Sequence, residues 1–121
     1  MENQTNTSNG LPPDMLRVTV VNGNLRFVRH PLLLGHYRAA ALTGTELVMD
    51  ELIGEAMSTA LGLGEYPEQP GSHEVFINTR AARDNPVRLP RPKAVIVVGL
   101  GDEGTLKAMD LARTVCAGVI A

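Results

Sequence analysis

The sequence predicts an α/β domain in which a mixed sheet is flanked by helices. Three observations carry this expectation. Residues 94–98 are an unbroken apolar run, as in a strand buried on both faces, and after the glycines of 99–104 a helical pattern occupies 106–120. Upstream, Val48, Met49, Leu52, Ile53, Met57 and Leu61 recur mostly at spacings of three and four, the stripe of an amphipathic helix. Glu74-Val75-Phe76-Ile77-Asn78-Thr79 has the β-branched and aromatic content of a further strand.

Taken in order, residues 1–13 are polar and rich in Asn and Thr and read as a disordered tail, leaving 14–121 as a single domain. Residues 16–21 and 25–28 are β-prone runs separated by Asn22-Gly23-Asn24, which predicts a hairpin closed by an Asn-Gly turn. Residues 32–34 with Gly35-His36-Tyr37 form a short apolar element whose type, strand or buried loop, stays open. Thr45 is the expected N-cap of the amphipathic helix, and Gly62 and Gly64, followed by Pro67 and Pro70, should end it. Residues 80–92, with three prolines and four arginines, read as an exposed connection. The last residues, Val115-Cys116-Ala117-Gly118-Val119-Ile120-Ala121, are apolar and lack a polar cap, which predicts that this is the N-terminal part of a longer chain.

Composition narrows the classes of function. A net charge of -2 supplies no basic field for phosphate backbones or anionic membranes, so neither nucleic acid nor a membrane is an expected partner. No segment offers the roughly 20 apolar residues of a membrane-spanning helix. The one cysteine, Cys116, excludes an intramolecular disulfide framework and fits a reducing cytoplasm.

Gly99-Leu100-Gly101-Asp102-Glu103-Gly104 matches G-x-G-x-x-G between a buried strand and a helix, the context of a dinucleotide fingerprint. Against that reading, Asp102 and Glu103 would meet a pyrophosphate with like charge, and no ribose-binding acid follows in a second βα unit. The simpler expectation is a tight turn in which Asp102, Glu103 and Thr105 cap the helix. His36 and Tyr37 join Gly99, Gly101, Asp102 and Gly104 as the candidate ligand-binding positions, although a structural role for His36 is the plainer one. Cys116 shares a helical face with Ala112 and Ile120 and reads as a packed, inert thiol. His30, His36 and His73 lack metal-ligand spacing, Arg80, Arg83, Arg88 and Arg91 read as a solvated loop, and neither Ser58 nor Ser72 has an activating context. No catalytic set, metal site or cofactor is expected.

Val75-Phe76-Ile77-Asn78, Lys93-Ala94-Val95-Ile96-Val97-Val98-Gly99-Leu100-Gly101-Asp102-Glu103 and Leu111-Ala112-Arg113 together resemble the N-terminal macro-like domain of leucyl aminopeptidases. The resemblance covers residues 74–120 and implies a macro-like fold. In that family the two-metal peptidase site lies in the C-terminal domain, so it implies no catalytic residue in this chain. The N-terminal half, with Pro31-Leu32-Leu33-Leu34-Gly35-His36-Tyr37, looks more like a domain attached to bacterial caspase-like or CHAT-type proteases. The function expected is therefore that of a non-catalytic accessory or regulatory domain, acting on a downstream effector domain or protein partner and open to homo-oligomerisation. The alternatives are the N-terminal domain of a metallo-aminopeptidase and a nucleotide or ADP-ribose binding module.

Overall fold

The computed structural model describes residues 15–79 and 91–121, so the predicted tail and most of the arginine-rich connection lie outside the described residues. A 3-10 turn, Leu25–Phe27, precedes β1 (Leu32–Tyr37), α1 (Gly44–Leu52), α2 (Ala56–Gly62), β2 (His73–Ile77), β3 (Ala94–Gly101) and α3 (Ala108–Ile120). The sheet is mixed, in the order β1-β3-β2, with β1 parallel and β2 antiparallel to the central β3.

The period of two along the strands sorts side chains between two helical layers. Val95 and Val97 of β3 and Phe76 of β2 join Met49, Ile53 and Met57 from the α1–α2 side, with Tyr66 and Leu42 closing the cluster. On the other face Leu33, Ile96 and Val98 meet α3 at Gly118, where an added Cβ would lie 2.5 Å from Leu33 Cδ1 and 2.6 Å from Val98 Cγ1. That contact lets α3 approach closely, and Thr114 Oγ1 donates to the Gly99 carbonyl at 2.8 Å one turn earlier. Both halves of β3 are covered, as its apolar run requires.

Four local expectations are corrected. The hairpin of 16–21 and 25–28 is absent: residues 15–24 carry no regular structure, and Asn24 Oδ1 accepts the Arg26 N–H at 2.9 Å to start the 3-10 turn. Leu16 and Val20 are 82% and 92% exposed, so a lone hairpin here would have no apolar surface to cover. The single helix from Thr45 is two helices, with Thr43 at the first N-cap, broken where Gly54 and Glu55 adopt φ of 88° and 69°. The break turns the chain so that buried Asp50 caps α2, its Oδ1 accepting from the Met57 and Ser58 amides at 2.9 and 3.0 Å. Met49, Ile53 and Met57 remain in one core, which is why their spacing read as one helix. Asp102, Glu103 and Thr105 do not cap α3, whose N-cap is Lys107; the Thr105 amide and hydroxyl instead donate to the Asp102 carbonyl. Cys116 is exposed, because the small residues Thr114 and Gly118 form the buried side of α3 and turn Ala112, Cys116 and Ile120 outward.

Substituting Gly118→Ala tests the close helix approach. Overpacking against a buried valine costs about 1–3 kcal/mol, more than the roughly 1 kcal/mol that alanine gains in helix propensity. The denaturant midpoint should fall; a rise would show that α3 can stand off from the sheet.

Candidate functional site

The candidate positions converge on the C-terminal ends of the parallel pair β1 and β3. His36 stands opposite Gly99 and Tyr37 opposite Gly101, with a register shift between them, and the Arg38 amide donates to the Gly101 carbonyl at 2.9 Å. Arg38 Nε then reaches Asp102 Oδ1 at 2.9 Å, with Glu68 Oε1 3.8 Å from the same guanidinium. Five of the six positions are thereby neighbours. Gly104 lies beyond them in the turn, at φ 88° and with open space around it.

The glycines admit this chain's own loop. The Gly101 amide donates to the Glu68 carbonyl at 2.7 Å and the Gly99 amide to the Ser72 carbonyl at 3.0 Å. A side chain at Gly99 would collide with the Gln69 carbonyl and Ser72 Oγ. Ser72 fastens the loop, donating from its amide and its hydroxyl to the Gln69 carbonyl. In a phosphate-binding turn such amides face the ligand; here two of them are spent on the 68–72 loop, and the Asp102 carboxylate is held by Arg38.

His36 points the other way, into the core. Its side chain is 2% exposed, and Nδ1 lies 3.0 Å from the Glu46 carboxylate, which also accepts the Tyr66 hydroxyl at 2.7 Å. A carboxylate accepts, so Nδ1 presents its N–H to Glu46, and Nε2 is buried with no hydrogen-bond partner among the described residues. The Tyr66 ring meets His36 edge-on at 4.7 Å and stacks on Phe76 at 5.8 Å. Burial, then the hydrogen bond and charge of Glu46, pushes the Tyr66 phenol far above its ordinary pKa. The cluster ties β1, the first turn of α1 and the loop before β2 together.

Glu46, Tyr66 and Asp50 were not legible as site residues. The signals for Glu46 and Tyr66 were a glutamate in the first turn of a helix and one of only two tyrosines, neither adjacent in sequence to His36. Among the described residues no three of His, Cys, Asp and Glu gather as metal ligands. Of Leu111-Ala112-Arg113, all three exposed, Arg113 contacts the loop before β2, its Nη2 donating to the Pro70 carbonyl at 3.3 Å.

No known protein family matches the chain, and no curated protein matches it in sequence.

Two measurements check this geometry. Gly101 has φ 76° and a would-be Cβ 3.3 Å from Pro70 Cδ, so Gly101→Val should cost about 2 kcal/mol or more; unchanged stability would refute it. In a Tyr37→Phe chain Tyr66 is the only tyrosine. The folded state holds its proton where the unfolded chain releases one near pH 10, so the contribution of Tyr66 to stability is fully present below that pH and is lost as pH rises above it. Phenolate absorbance should therefore appear only together with loss of the folded circular-dichroism signal; ionisation in the folded state would contradict the burial.

Proposed function

We propose that this chain is a non-catalytic accessory domain whose outer α3 face receives an effector domain or partner protein. The observation that carries the reading is the inversion of α3. Its buried side is made by Thr114 and Gly118, while Met109, Val119 and Ile120 are 84%, 70% and 80% exposed. Ala112 and Cys116 complete an apolar outer stripe interrupted by Arg113. A helix that turns its larger apolar residues to solvent over three turns has the composition of an interface core.

The macro-like and aminopeptidase readings rest on the segment from β2 to α3, whose strand, glycine turn and helix follow in the order the resemblance implies. On that version the metal-dependent chemistry belongs to another part of the polypeptide. The nucleotide or ADP-ribose reading draws least support, since the Gly99 and Gly101 amides already have carbonyl partners in the 68–72 loop.

A photo-crosslinker attached to the exposed Cys116 thiol tests the docking role in cells producing the chain. Cross-links should map to one apolar patch of a single partner or further domain. They should vanish in a Val119→Asp, Ile120→Asp variant that melts like the parent. Cross-links to nothing, or only to a second copy of the chain, would overturn the reading, as would calorimetric heat with ADP-ribose, NAD or ATP.

A further inference from the structure

Charge is segregated along this chain between residues 15–45 and 46–79. Residues 15–45 hold Arg17, Arg26, Arg29 and Arg38 and no acid, whereas residues 46–79 hold seven acids and neither lysine nor arginine. The basic part begins with a β-prone segment that pairs with no strand among the described residues: Leu16, Val18 and Val20 are 82%, 75% and 92% exposed. The acidic part ends in β2, an edge strand of the three-stranded sheet.

We infer that residues 16–20 of one copy add as a fourth, parallel strand to β2 of a second copy, and that the exchange is reciprocal. Val75 and Ile77 lie opposite Ile96 and Ala94 on the α3 side of the sheet and are 38% and 61% exposed, while Phe76 is turned to the core. A parallel register that sets Val18 against Val75 and Val20 against Ile77 also sets Arg17 against the exposed Glu74 and Leu16 against His73. An antiparallel register that matches the same apolar residues puts Val21 on Glu74 and leaves Arg17 past the strand end. Cross-strand neighbours on one face are the unit of sheet stability, and opposite charges contribute while like charges subtract. Strand addition gives an open edge its missing backbone partners. Because donor and acceptor occur in the same chain, two copies satisfy each other about a two-fold axis.

Neither the donor segment nor the outer edge of β2 belongs to the α3 stripe, so this inference and the docking role fail independently. Sedimentation velocity of the full chain from low to high micromolar concentration tests it. The parent should dimerise, and Arg17→Glu and Glu74→Arg should each weaken the dimer about tenfold, two symmetric contacts being lost at once. The double variant R17E/E74R should regain the parent's affinity, and Val119→Asp should leave it unchanged. A monomer at every concentration overturns the inference, as does a dimer indifferent to the single reversals or one not restored in the double variant.

Discussion

β1, the 68–72 loop and α3 all meet β3 at the backbone of Gly99. Its position in β3 faces His36 of β1, its amide donates to Ser72, its carbonyl accepts from Thr114 of α3, and its missing side chain leaves room for Gln69. A strand residue ordinarily serves its two neighbours; this one also holds a loop and a helix. Any Cβ there would meet carbonyl backbone, which yields far less readily than the tip of a side chain. The glycine is therefore required by the fold, and the resemblance of its turn to a nucleotide fingerprint follows from the same need for close approach.

The second organising contact is made by the residue opposite Gly99, His36, on the core side. Glu46 accepts hydrogen bonds from both His36 and Tyr66, so a single carboxylate fixes a strand, a helix start and a loop. Buried polar clusters of this kind are costly unless mutually satisfied, and Asp50 plays the matching part for α2 by taking two amides. The acids in this region thus organise the backbone.

Much of this was legible in the chain, and the failures share a cause. The central strand and its following helix were clear because an apolar run buried on both faces leaves little alternative at 94–98. The class of sheet and the glycine stop after α2 were legible for similar reasons, local chemistry and tertiary need agreeing at Gly62 and Gly64. What could not be read were long-range choices. An Asn-Gly turn signals a hairpin only if a sheet waits to cover it; α1 and α2 share one apolar stripe because they share one core; and the packed side of α3 is its smaller side. Periodicity reports which residues are apolar, whereas the face that packs depends on how closely Gly118 lets the helix approach Leu33 and Val98. The site residues followed the same division: Gly99 and His36 stood out in sequence, while Glu46 and Tyr66 gained their role only through folding.

Native-state hydrogen exchange at the Gly99 and Gly101 amides tests most directly the claim that the glycine turn is internal architecture. Both should exchange slowly, near the rate set by global unfolding, and at the same rate with or without ADP-ribose, NAD or ATP. Rapid exchange that slows only when one of these nucleotides is added would contradict the account and make the turn a phosphate cradle.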